Sequence, residues 1–426
     1  VPLLYAIPVA LAGGFPLGNS AWIVHLFAWV VAAGSMWCVF HYVRLFAEAH
    51  VAWLVTLCTL CSRAFLEESQ AAFADIPALG AMFLMLYEIE HYFRTEQRSR
   101  WRTSMMFIGL ALLPLVKPYL GVTFVAFLWH LAVRWQTRRT QDAPAVRNRQ
   151  FATGVALTAL CCVPFACFMS YSVIAAESTG TISAVTWLVT DNPVEVREGV
   201  ATTDHRTLGE WMTISVETMK FHLVYHIVAS PVPLLEMVDF RDWPGPPRLL
   251  ILLTGGSLMF LGALRLTLRG RGAAVVNTVA MTAVFALLAC DGARYFVILT
   301  PLFAWLFLSG VEVVADWLAM RNAGGGESEC SWSRRYIMVR PAFVTVLGMA
   351  ALVWATEQNH PANDRDPLYD EIYSVLFELR DRDDISTIVV PFPIRELAIV
   401  ETGKRVLVYA EVKADDASGP GLDRLN

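Results

Sequence analysis

The sequence predicts an all-α polytopic membrane protein of about ten transmembrane helices, followed by a small C-terminal extracytoplasmic α/β segment. Three observations predict it. Hydrophobic residues make up 56% of the 426-residue chain against 17% charged, and mean hydropathy is +0.49, which is too apolar for an ordinary soluble enzyme of this length. Apolar runs of spanning length recur along most of the chain, and arginines gather in alternate loops between them. The net charge of -5 hides that uneven distribution, and no basic patch of the kind that binds nucleic acid is present.

The runs fall near 21–43, 51–66, 76–93, 104–117, 119–134, 151–175, 249–268, 273–290, 296–319 and 341–356. Some are short for a hydrocarbon layer of about 30 Å and need cover from neighbouring helices. Arg44 marks the first arginine loop; Arg94, Arg98, Arg100 and Arg102 mark the next; Arg134, Arg138, Arg139, Arg147 and Arg149 follow. Arg265, Arg269 and Arg271, then Arg321, Arg334, Arg335 and Arg340, complete the series. These loops are expected on the cytoplasmic side, with the opposite turns and both chain ends outside, in the periplasm of a bacterium.

Two outer segments are too long to be turns. Residues 176–248 form a loop expected to be functional rather than connective. From 357 to 426 the chain turns polar, with a helix pattern over Leu368 to Arg380, a strand Ile385 to Val390, a short helix Ile394 to Glu401 and a second strand Arg405 to Tyr409. The division is thus 1–356 for the membrane part and 357–426 for the outer α/β segment, which is expected to be incomplete. The chain opens Val-Pro-Leu-Leu-Tyr without a charged region before its first apolar run, unlike a signal peptide, and a missing true N-terminus is expected. Seven of eight cysteines lie in apolar runs, so a disulfide framework is not expected.

Charged residues at the outer lips are the candidates for chemistry. Glu67, Glu68 and Asp75, with Arg63 just before them, lie at the outer end of the third run. A charge near a span costs several kcal/mol, roughly 2.5 to 3.5 at the helix centre, so such a cluster has a cause: acid/base work, metal binding or recognition of a polar substrate. The plain alternative is a solvated outer loop. Asp75 stands two residues before Pro77, where its carboxylate can also cap the first turn of the span. Lys117, in Leu115-Val116-Lys117-Pro118-Tyr119, is placed to hold a phosphate as a point charge, or else snorkels. Arg294-Tyr295 repeats the arrangement at another outer turn, with an Asp291–Arg294 pair as the rival reading. His222 and His226 share a helical face, but the interfacial reading outweighs a metal site because no glutamate follows the first. Cys58 and Cys61 have CxxC spacing inside an apolar run and read as core packing.

Several stretches together resemble the GT-C superfamily of integral-membrane glycosyltransferases, in the bacterial branch related to protein O-mannosyltransferases and the lipid A aminoarabinose transferase. Pro2-Leu3-Leu4-Tyr5 with Gly18-Asn19-Ser20 looks like that branch's Pro-Pro-Leu-Tyr to Gly-x-Ser stretch; Ala74-Asp75-Ile76-Pro77 looks like its Asp-Pro motif; Leu115-Val116-Lys117 looks like its Leu-Thr-Lys. Arg294-Tyr295 with Pro301 is similar to a late Arg-Tyr and Pro, and Glu401-Thr402-Gly403-Lys404-Arg405-Val406 resembles the appended outer domain. Valine replaces the motif threonine at 116, and His25 stands where arginine is frequent.

The resemblance implies a polyprenyl-phosphate sugar donor within membrane lipid, a hydroxyl acceptor on a glycan, lipid or protein, and inverting transfer on the extracytoplasmic face. It implies a catalytic carboxylate at Asp75, with the main family acid expected upstream of Val1, and substrate binding by Lys117, Arg294 and Tyr295; Glu68, from the lip cluster, is the second candidate catalytic carboxylate. No metal ligand is assigned, and a divalent metal cofactor stays open. The alternatives are a transporter or flippase of lipid-linked glycans, which predicts charges deep within spans, and an inactive membrane scaffold.

Overall fold

In the computed structural model the described residues are Ala10, 21–62, 65, 75–95, 99–137, 144–179, 245–287, 296–322, 374–376, 378–379, 384–390 and 405–408, with Arg382 and single positions between 212 and 228. Two compact units divide the chain: Val1–Val30, Pro193–Thr203 and Ala355–Asn426 form one, and Val31–Asn192 with Asp204–Trp354 form the other.

The larger unit is helical among its described residues. The helices are α1 (Ala21–Arg44, which the unit enters at Val31), α2 (Ala49–Leu60), α3 (Asp75–Arg94), α4 (Arg100–Val116), α5 (Phe124–Thr137), α6 (Pro144–Thr179), α7 (Gly245–Leu268), α8 (Gly272–Leu287) and α9 (Thr300–Asn322). Four of these contain stretches long and apolar enough to cross a membrane: Leu26–Arg44, Asn148–Tyr171, Gly245–Leu268 and Thr300–Leu318. Ala49–Leu60 and Gly272–Ala286 are apolar but shorter. The expected ten spans are therefore not all found at full length, and the last, 341–356, lies outside the described residues. One shortfall has a local cause. Pro118 follows an extended Lys117, and the chain runs as a 3-10 turn over Pro118–Thr123 before α5 begins. At about 2.0 Å per residue in the turn and 1.5 Å in the helix, turn and α5 together still cover roughly 33 Å.

Helix α3 is the central element. Ile76, Ala78, Leu79, Gly80, Met82, Phe83, Met85, Leu86 and Ile89 are all buried, so its apolar surface meets protein nearly all round. Ser35 on α1 lies 2.9 Å from the Ile76 carbonyl, and Gly80 sits against Ser35, a close crossing that only a small residue admits. Below it Tyr42 stacks edge-on against Phe83 and Trp305, at 5.5 and 6.0 Å between centroids, and joins α1, α3 and α9. Helices α7 and α9 approach closely at Gly262 and Gly310, where an added Cβ would meet the Leu306 and Leu258 carbonyls. Outside this core, α6 and α7 leave Leu160, Phe168, Leu253 and Phe260 exposed. Rows of large apolar side chains on helices of spanning length suit lipid, and the chain is an integral membrane protein.

Three of the arginine-bearing turns, α1–α2, α3–α4 and α7–α8, meet at one end of this unit. Arg94 at the end of α3 donates to the Leu45 carbonyl in the α1–α2 turn at 3.2 Å, and Arg94 and Arg271 both lie over the Phe46 ring, at 4.2 and 5.5 Å. Arg102 ties α4 to α3 by two bonds to Glu88, of 2.7 and 2.9 Å. Cys58 and Cys61 are free thiols packed at the buried side of α2, as core packing requires.

In the smaller unit, β1 (Thr387–Val390) pairs in parallel with β2 (Arg405–Val408), Ile388 opposite Val406. Ile388 is buried and Val389 exposed, the alternation of a strand with one covered face. Residues 374–376 and 378–379 are helical, with Leu376 buried. The helix Ile394 to Glu401 expected between the strands lies outside the described residues.

Candidate functional site

Asp75 is the first residue of α3, and it is 2% exposed. An ionised carboxylate so deep needs partners, because its hydration is gone. Two are supplied by the segment that follows α4. The Tyr119 hydroxyl donates to Asp75 Oδ1 at 2.8 Å, and Lys117 Nζ lies 3.2 Å from Oδ1 and 3.5 Å from Oδ2. Lys117 also sits 5.9 Å from the centre of the Tyr119 ring.

The backbone explains why these groups converge. Helix α4 ends at Val116, Lys117 takes an extended conformation (φ -149°, ψ 129°), and Pro118 opens the 3-10 turn. The extended residue sets Lys117 and Tyr119 on the turn rather than on a helical face, and α3 packs against that turn. Tyr119 is held from the other side by Phe285 of α8, edge-on at 5.0 Å, and Phe285 meets Phe296 at 5.4 Å. Around this aromatic column Val297, Ile298 and Leu299 are buried. The carboxylate is closed off, whereas the Lys117 side chain keeps 24% of its surface. That asymmetry has a chemical meaning: Asp75 fixes the ammonium, and the ammonium can still meet a second anion.

The Asp75–Lys117 group stands at the opposite end of α3 and α4 from Arg94 and Arg102, about 28 Å away along α3 and about 22 Å along α4 by helical rise. Glu67, Glu68, Asp291, Arg294, Tyr295, His222 and His226 lie outside the described residues. Among the described residues no group of three or more His, Cys, Asp and Glu side chains could hold a metal ion.

Tyr119 is the residue that the sequence reading passed over. The signal was there: a tyrosine in an apolar run needs a partner for its hydroxyl, and a carboxylate at another span's lip is a ready one. A second buried carboxylate was also passed over. Glu90, in the last turns of α3, accepts from His130 of α5 at 2.7 Å and from Arg94 at 3.3 Å. The Glu90-to-Arg94 spacing of four and a histidine inside an apolar helix were the legible hints.

No curated protein and no solved structure matches the chain. A family model does, over residues 5–168, less than half of the chain but including Asp75, Lys117 and Tyr119. With that match, to the family described as dolichyl-phosphate-mannose-protein mannosyltransferase, the resemblance of this chain to the GT-C membrane glycosyltransferases is shown.

Proposed function

We propose that this protein transfers a sugar, with inversion, from a polyprenyl-phosphate donor to a hydroxyl of a glycan, lipid or protein on the extracytoplasmic face. The observation that carries the reading is Lys117, a partly exposed ammonium fixed by buried Asp75 and Tyr119 at the arginine-poor end of the helices. The arginine loops gathered at the other end support the sidedness, since such loops favour the cytoplasm. The family match supports the reaction class.

In such a transfer the acceptor oxygen bonds to the anomeric carbon while the bond from that carbon to the phosphate oxygen breaks. The electron pair leaves with the phosphate, and the acceptor proton passes to a carboxylate. Lys117 meets the charge that grows on the departing phosphate, a contact that strengthens as the bond breaks. Asp75, with oxygens already engaged, positions Lys117 and marks the acceptor side. Glu68, from the acidic cluster at the outer lip, is the candidate proton acceptor, and Arg294 and Tyr295 are further candidates for the phosphate. Phe296, next in sequence to Tyr295, packs on Phe285, which packs on Tyr119. The transporter reading gains less support, because the acids and arginine of α3 stand in its first turn and last two turns rather than midway.

The test is sugar transfer from a polyprenyl-phosphate donor by the full chain in membranes. Lys117→Gln is expected to lower the rate by about 10²–10³-fold, the usual cost of one transition-state charge contact. Wild-type transfer with no loss in Lys117→Gln would sink the assignment of Lys117.

A further inference from the structure

A second site lies at the arginine end, far from Lys117. The turn from α7 to α8 closes as a Schellman motif: Arg271 N–H donates to the Leu266 carbonyl at 2.8 Å, Gly270 N–H donates to Thr267 at 3.0 Å, and Gly270 takes φ +75°. Three residues are thereby fixed, and two of them are arginines. They border a cavity of about 370 Å³ shared with Phe46, Arg265, Glu312 and Asp316.

The cavity lining carries three arginines and three carboxylates, Glu48, Glu312 and Asp316, but the pairing among them is uneven. Arg265 uses both terminal nitrogens, 3.2 Å from Glu312 and 2.8 Å from Asp316, and Glu48 pairs with His50 at 3.2 Å. Among the described residues no carboxylate lies within ion-pair distance of Arg269 or Arg271. Arg271 instead shares the Phe46 ring with Arg94. Its pKa is held below the ordinary guanidinium value, first by lost hydration and then by the charges of Arg269, Arg94 and Arg265, against the pull of Glu312. A guanidinium does not shed its proton at neutral pH, so it stays as a cation among cations that an incoming anion would relieve. Two forked donors on a rigid turn suit a phosphate.

The neighbouring surface says which phosphate. Leu264 and Leu268 flank Arg265 and Arg269 in sequence and are exposed, and Leu253 and Phe260 continue the exposed apolar surface of α7. A head-group cavity beside an apolar helix surface fits a lipid better than a free ion. We propose that Arg269 and Arg271 hold the phosphate of an anionic phospholipid whose acyl chains lie along the exposed surface of α7.

Thermal unfolding of the purified full chain in uncharged detergent tests this, with phosphatidylglycerol, phosphatidylcholine or inorganic phosphate added separately. Phosphatidylglycerol is expected to raise the midpoint by about 3 °C or more, since a ligand of the folded state stabilises it by mass action. The shift should vanish in Arg269→Gln/Arg271→Gln and persist in Arg100→Gln, which removes an exposed arginine elsewhere. Arg269→Gln alone, at an exposed position, serves if the double variant folds poorly and should weaken the shift. A shift retained in these variants overturns the proposal. So does an equal shift with phosphatidylcholine, which would report tails alone, or with inorganic phosphate, which would report a free-anion site.

Discussion

Helix α3 carries a buried carboxylate near each end, and the two differ in what holds them. Asp75 is met by a lysine and a tyrosine from an irregular turn, and the lysine remains reachable from outside. Glu90 is met by His130 from α5 and by Arg94 from its own helix, and both bonds stay within or between regular helices. Similar burial thus serves two ends. Helix-to-helix bonding locks a bundle, whereas bonding to a short turn presents a charge. The contrast teaches that depth alone does not mark a reactive acid; the accessibility of its partner does.

The sharpest way to break that contrast is to neutralise each acid in turn. Asp75→Asn should lower sugar transfer by about 10²-fold or more, because Lys117 loses the anion that positions it, while Asp75→Glu should recover part of it. Glu90→Gln should leave transfer within about threefold and instead cost stability, about 1–3 kcal/mol, as a buried hydrogen-bonded charge is lost. Kinetics and unfolding midpoints of the same two proteins decide the matter. Equal loss of activity in both would show that the two ends are not functionally distinct.

A smaller effect is expected where the arginine end depends on close helix packing. Gly310→Ala places a methyl group against the Leu258 carbonyl and should destabilise the fold by roughly 1–3 kcal/mol, the usual range for overpacking. Unfolding would fall early, yet transfer by the folded fraction should keep its donor KM, since Asp75 and Lys117 belong to α3 and the turn after α4. The least change is expected from Gly270→Ala. It forces a side chain into the left-handed region at a cost of about 1–2 kcal/mol, and the phosphatidylglycerol shift should weaken with little loss of activity.

Much of the candidate site was legible, but unevenly. Asp75 and Lys117 stood out because a lone charge at the edge of an apolar run needs a reason, and the structure brings these two together. Tyr119 was missed because a tyrosine passes for an interfacial aromatic until its hydroxyl partner is known. Glu90 and His130 were missed because the i,i+4 spacing of Glu90 and Arg94 suits a solvated helix end equally well, and only packing decides that Glu90 turns inward to His130. The 119–134 run was read as one helix; Pro118 after an extended residue makes its first part a 3-10 turn instead.

By itself the sequence determined the membrane class, the order of the apolar helices and the sorting of arginines into alternate loops. Those properties follow from composition and period, which are local and add along the chain. Only the tertiary structure decided that Tyr119 completes the Asp75–Lys117 group, that Glu90 faces His130, and that Arg269 and Arg271 border one cavity. Each of these is a meeting of side chains from different helices. Whether a buried charge is paired depends on distances of a few ångströms across the bundle, and one-dimensional patterning does not carry such distances.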